Sequence, residues 1–190
     1  MSRHVVILAS GETERRALPN LLRHLGHEGI SVEVRKPPRH RAISSDVAIK
    51  IANACYWSVP RPHKLVVLLD ADGRDPKEQL EPLQRRIGRS LDDLDLKVSY
   101  AYAQWHLEAW FFADESGLRG HLGKNLGNVD ASQPDSIDNP KLHLRNLLAG
   151  RLYTAEMADR ISRNLDATTI TAKSTSFAGF QDVVRNGRSS

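Results

Sequence analysis

The chain has 190 residues, 40% apolar and 26% charged, which is enough for one domain with a real core and too balanced for disorder. No apolar run approaches the ~20 residues that span a bilayer, and MSRHVVILAS lacks the long apolar core and cleavage site of a secretory signal, so a cytoplasmic protein without a membrane partner is expected. The net charge of +4 permits nucleic-acid contact without demanding it, and one cysteine, Cys55, excludes an intramolecular disulfide framework and a thiolate zinc cluster.

In chain order, residues 4–9 (HVVILA) are continuously apolar, as in a strand buried on both faces. Residues 12–26 take helical spacing: Leu18, Leu21, Leu22 and Leu25 share a face, and Gly26 suits the end. ISVEVR (30–35) alternates and predicts a half-buried strand. Ser44 or Ser45 caps a helix running to about Trp57, in which Cys55 reads as a small buried hydrophobe. KLVVLLD (64–70) predicts a second fully buried strand, DADGRDP a turn, residues 76–88 a helix and LKVSYAYA (96–103) a fourth strand. This alternation predicts an α/β fold with a mainly parallel four-stranded sheet flanked by helices. The first and third strands are the most apolar and belong at the centre. As neighbours they open the loops at 10–14 and 70–75 side by side, at the carboxyl ends where such sheets place their sites. Beyond residue 104, QWHLEAWFFADESGLRGHLG predicts one helix and residues 123–140 a long loop. NPKLHLRNLLAG, TAEMADRISRNL and TSFAGFQDVVRNG predict three short helices. The expected organisation is an α/β core over 1–122 and a helical extension over 123–186 packed on it, one domain overall.

The sharpest chemical feature is Asp70-Ala71-Asp72-Gly73 after an apolar strand. Alternate aspartates send two carboxylates out of the sheet top, where they repel each other unless a cation is near. Hard oxygen ligands suit Mg²⁺ or Mn²⁺; the competing reading is a turn capped by Asp70 and bent at Asp72-Gly73. Glu12 and Glu14 fit a helix start, where carboxylates favour the dipole, and alone would be unremarkable; beside Asp70 and Asp72 they could complete an acidic cluster. No Gly-x-x-x-x-Gly-Lys-Ser/Thr stretch occurs, which excludes a standard P-loop. Glu108, among Trp105, Trp110 and Phe111, is costly to bury without a partner or a metal; Asp114 and His106 lie close by in sequence. Positive charge gathers in RKPPRHR (35–41) and RPHK (61–64). Arg35, Lys36, Arg39, Arg41 and, further on, Lys141 are candidates for phosphate contact, against the alternative of a solvated surface.

Taken together and in order, SGETE, LLDADG, EAWFFAD, NPK and STSF resemble the TOPRIM-like family catalogued as domain of unknown function 4276, over about residues 5 to 180. That resemblance implies a TOPRIM-like (Rossmannoid) core and kinship with nucleases of the overcoming-lysogenization-defect type. It further implies Mg²⁺- or Mn²⁺-dependent phosphodiester chemistry on nucleic acid and a role in prokaryotic anti-phage defence, beside an ATPase or other defence-system subunit. By position it assigns Glu14, Asp70 and Asp72 as metal ligands and adds Glu108 as a catalytic acid. The departure is Ser10, which stands where the family pattern has glutamate. Either Glu12 substitutes for that acid, or the protein is a degenerate TOPRIM-like binding subunit without catalysis.

Overall fold

The computed structural model describes residues 3–38, 42–122 and 129–186. Strand β1 (Arg3–Leu8) leads into helix α1 (Glu12–Leu21), strand β2 (Ile30–Arg35) into α2 (Ser45–Tyr56), and β3 (Lys64–Asp70) into α3 (Pro76–Leu91), followed by β4 (Lys97–Ala103). All strand pairs are parallel, in the order β2-β1-β3-β4. The fold is therefore α/β, with β1 and β3 adjacent at the centre.

The continuous apolar runs have a simple cause. Successive side chains of a strand point to opposite faces, and here both faces are covered. Val5, Ile7, Val66 and Leu68 pack into a core with α1 and the helices after β4. Val6, Leu8, Leu65 and Val67 pack into a second core with α2 and α3. Local signals start the helices: Ser44 Oγ accepts from Val47 N (3.3 Å), and Asp75 accepts from Lys77 N (2.9 Å) ahead of Pro76.

The first predicted helix is shorter than its apolar pattern. It ends at Leu21; Arg23–Glu28 is a 3-10 segment, and Gly29, at φ 72°, makes the left-handed closure rather than Gly26. The helix expected after residue 104 is two: α4 (Glu108–Ala113) and α5 (Glu115–Leu122). Asp114 separates them, its carboxylate accepting from Gly117 N (3.1 Å) and Asp166 N (2.8 Å). Four further helices follow where three were expected: α6 (Pro140–Leu147), α7 (Ala155–Ser162), α8 (Ala167–Lys173) and α9 (Thr175–Asn186). Of the loop expected at 123–140, residues 123–128 lie outside the described residues, and Pro134–Ser136 is a 3-10 turn.

The extension packs on the core, α7 against α1 and α9 against β4. Trp110 stacks on Phe180 (ring centroids 5.5 Å) and donates Nε1–H to Ser176 Oγ (2.8 Å). Asp135 accepts from Ser174 Oγ (2.8 Å) and from the backbone N–H of Ser176 (2.9 Å). The STSF stretch thus anchors the start of α9. At the amino end of the sheet, Arg3 donates to Arg185 O (2.9 Å), Lys64 to Val183 O (2.6 Å) and Lys97 to Asn186 O (3.4 Å), so three strands cap the end of α9. Of the basic segment 61–64, Lys64 is thus committed to the helix end. Lys64 is 1% exposed, Arg61 lies over the Tyr56 ring (4.1 Å), and the start of β3 is at the opposite end of the sheet from the loops that follow the strands. Among the described residues no helix is long and apolar enough to cross a membrane.

Candidate functional site

Because β1 and β3 are parallel neighbours, the segments after them emerge together. Gly11, in extended backbone, starts α1 without a side-chain cap, and Glu14 in its first turn points inward, 6% exposed. A Cβ on Gly11 would lie 3.0 Å from Glu14 Oε2, so glycine leaves room for that carboxylate. Asp70 closes β3 and accepts from Ser10 Oγ (3.1 Å). Pairing to β4 runs on through Ala71 N to Ala103 O (2.9 Å) and Gly73 N to Gln104 O (2.8 Å). Arg74 N then bonds Ala71 O (2.9 Å), with Asp72 at φ 50° and Gly73 at φ 73°. Positive φ at both central residues is the type I′ pattern. A Cβ on Gly73 would sit 2.4 Å from the Trp105 ring, so this glycine is required by conformation and by contact.

The turn separates the two aspartates. Asp72 is largely exposed and pairs through Oδ1 with His106 Nε2 (3.0 Å), while Asp70 faces inward toward Glu14 and Glu108. Glu108, at the start of α4, is 0% exposed. Among the described residues neither of its oxygens has a hydrogen-bond partner; Lys141 Nζ lies 3.9 Å from Oε1. Burial first, and then the charges of Glu14 and Glu108, push the Asp70 carboxyl up to about 8, against the Ser10 hydrogen bond. Glu14 is also raised, chiefly by burial and then by Glu108, with its own backbone N–H and Lys141 opposing. These three acids form one electrostatic unit. Beside it, Ser10, Ile43, Leu69, Asp70, Asp72 and His106 line part of an open cavity of about 350 Å³.

The donors are all carboxylate oxygens, the type that hard divalent cations take. Among the described residues, however, no three His, Cys, Asp or Glu side chains converge tightly enough to hold a metal ion. The set fits such a cation in the chemistry of its donors and in a buried carboxylate that lacks hydrogen bonds, and side-chain adjustment would have to complete the shell.

Other candidates are placed apart. Glu12 pairs with Arg15 and, at 3.2 Å, with Arg16; the Arg15 hydrogen bond above all holds its carboxyl down to about 2. In the structure these arginines engage it, apart from Asp70. Arg35, ending β2, is engaged by Glu33 (2.6 Å) and donates to Cys55 Sγ (3.3 Å). Lys36 is half-buried beside it, and Arg39 and Arg41 lie outside the described residues. Lys141, in the first turn of α6, is brought to Glu108. Asp114 caps a helix. Sequence reasoning passed over Tyr153, whose buried hydroxyl lies within the field of Glu108. A lone tyrosine 45 positions from Glu108, between two short helices, carries no motif.

The fold and site define an α/β protein with buried acids gathered past the carboxyl ends of a parallel sheet. A family model described as "Domain of unknown function (DUF4276)" matches residues 10–185, and the chain belongs to that family. No curated protein and no solved structure gives a match.

Proposed function

We propose that the protein is a divalent-metal-dependent nuclease, or a related phosphodiester enzyme, of TOPRIM type. One observation carries the reading. Among the described residues, Glu108 is wholly buried with neither oxygen hydrogen bonded, beside the buried Glu14 and the half-buried Asp70. A buried carboxylate that lacks hydrogen bonds, with its paired ammonium 3.9 Å away, is expensive, and a structure that retains it is expected to bind a compensating ligand. Glu14 and Asp70, with Asp72 swung in from the turn, would hold Mg²⁺ or Mn²⁺, and Glu108 would support them. When bound, such a cation neutralises the developing charge on a phosphodiester and lowers the pKa of an attached water.

The chain's own groups supply the rest. Lys141 presents an ammonium at the rim of the acid set and suits a backbone phosphate. Lys36, at the carboxyl end of β2, extends the basic path on the same side of the sheet. His106, held by Asp72, lines the cavity, where a proton could be passed to a leaving oxygen. A nucleic-acid substrate, a role in phage defence and a partner ATPase follow from the resemblance alone. The test is a Mn²⁺-dependent nicking assay on circular DNA, with matched single-stranded DNA and RNA. Activity that Asp70→Ala abolishes supports the proposal; equal nicking by that variant sinks it.

A second reading, a binding subunit without catalysis, is favoured by one contact. Ser10 Oγ donates to Asp70 where an acid would add charge. On that reading Ser10→Glu creates an activity the natural protein lacks, and full activity of the natural protein with Mn²⁺ excludes it.

A further inference from the structure

The sheet has two outer strands, and the chain treats their edges differently. β2 carries Glu33 and Arg35, paired to each other at 2.6 Å, and runs into Lys36-Pro37. Charges and proline at an edge discourage pairing with another chain. β4, the opposite edge, reads KVSYAYA. It has no proline, and its only charge is Lys97, at the first position and bonded to Asn186 O (3.4 Å). Ala103, opposite Asp70, accepts from Ala71 N (2.9 Å), so it turns its backbone groups toward β3. By alternation along a parallel ladder, Val98, Tyr100 and Tyr102 turn their N–H and C=O to the open edge.

Among the described residues no strand lies beyond that edge. A groove of about 220 Å³ runs along it, with Leu80 and Gln84 of α3 on one wall, Thr175 and Gly179 of α9 on the other, and Tyr100 and Tyr102 between. Gly179 stands inside α9, where a Cβ would meet nothing within 4 Å. Glycine weakens a helix interior relative to alanine, and no neighbour in the chain calls for it here. It suits close approach from outside.

We propose that a second copy of this chain fills the groove, its β4 pairing antiparallel to the first about a two-fold axis at Tyr100. In that register the strand complements itself. Val98 lies opposite Tyr102 and Tyr100 opposite its own copy, so the outward N–H and C=O groups of all three find partners. Lys97 falls opposite Ala103, and Ser99 opposite Ala101. Large side chains meet large ones on one face, small meet small on the other, and no like charges oppose. A two-fold contact closes on itself, so the open edge is consumed in a dimer rather than left as a template for further pairing. The missing side chain at Gly179 lets the flanking helices approach. This surface stands apart from the acids beyond the sheet's carboxyl end and is independent of the cation reading.

The experiment is sedimentation equilibrium of the full chain across a wide range of concentration, for wild type, Gly179→Lys and Tyr100→Pro. Gly179→Lys places a charged stem in the groove, on a helix that gains from losing the glycine. Tyr100→Pro removes an outward N–H that β3 does not use. Wild type is expected to dimerise reversibly and both variants to remain monomeric. At concentrations where wild type is also monomeric, Gly179→Lys is expected to melt at or above its temperature, which separates loss of the interface from loss of the fold. The register is read by oxidation. Tyr100→Cys is expected to cross-link to its own copy, because directly opposite Cα atoms lie within disulfide reach, whereas Val98→Cys is not. A wild type that stays monomeric throughout overturns the proposal and leaves the groove to a strand from another protein. A dimer that survives both Gly179→Lys and Tyr100→Pro, or that cross-links through Val98→Cys and not Tyr100→Cys, overturns it as well.

Discussion

The two ends of the sheet both bury charge, and they treat it in opposite ways. At the amino end, Arg3, Lys64 and Lys97 each donate to a carbonyl at the end of α9. At the carboxyl end, among the described residues, neither carboxylate oxygen of Glu108 has a hydrogen bond, and Asp70 takes the Ser10 hydroxyl beside like-charged neighbours. Cations at a helix C-terminus meet unpaired carbonyls and the negative end of the dipole, so the amino end is complete within the chain. The acids face one another. The first pattern is architecture; the second is a site that needs something from outside.

The comparison breaks most sharply at Asp70. Asp70→Asn is expected to weaken Mn²⁺ binding by about 100-fold or more and, without metal, to stabilise the protein at pH 8. The sign follows from linkage. The folded-state pKa, about 8, lies above the ordinary 3.8, so the folded state holds the proton across that window and metal-free stability falls as pH rises from about 4 to 8. In Asp70→Asn that component of the fall is absent, which urea unfolding in chelator at pH 5 and pH 8 measures. A variant that instead destabilises at pH 8 would make Asp70 a structural residue like those at the other end.

Lys64→Ala probes the amino end. It removes the tether to Val183 O and a buried aliphatic stem, and is expected to destabilise by about 2–4 kcal/mol without altering Mn²⁺ affinity. Its pH trend is distinctive. Burial, with Lys97 and Arg3, pushes the Lys64 pKa down to about 8 from 10.5, so wild-type stability gains as pH rises from about 8 to 10.5. The deficit of Lys64→Ala is therefore larger at pH 10 than at pH 7.

Gly73→Ala tests how far the turn sets the acids apart. The left-handed φ and the Trp105 contact together predict a loss of about 1–3 kcal/mol, read by thermal unfolding. The smallest effect is assigned to Glu12→Gln. Its partners are on the protein surface, so stability is expected to change by no more than about 0.5 kcal/mol and Mn²⁺ affinity not at all. A large loss of affinity would bring Glu12 back as the substitute acid.

Much of the frame was legible in the sequence. Continuous apolar runs marked β1 and β3 as central because both faces are covered, and that placement brought SGETE and LLDADG together. What escaped has physical reasons. Asp114 split a helix by capping from within an apolar stretch, and α8, ATTITAK, hid behind its β-branched threonines. Lys64 counts toward the basic segment 61–64, and its partner is hidden because its ammonium reaches a helix end 119 residues away in sequence. The split of Asp70 from Asp72 depends on a left-handed turn that two-residue spacing cannot reveal.

The central claim is that the carboxyl-end acids form a cation site closed by protons when metal is absent. Calorimetric titration of wild type with Mn²⁺ at pH 7, in buffers of different ionisation enthalpy, tests it directly. Because Asp70 holds its proton up to about 8, binding must displace that proton, and saturable binding with release of about one proton is predicted. Absence of saturable binding, or binding with no proton release, would contradict the account.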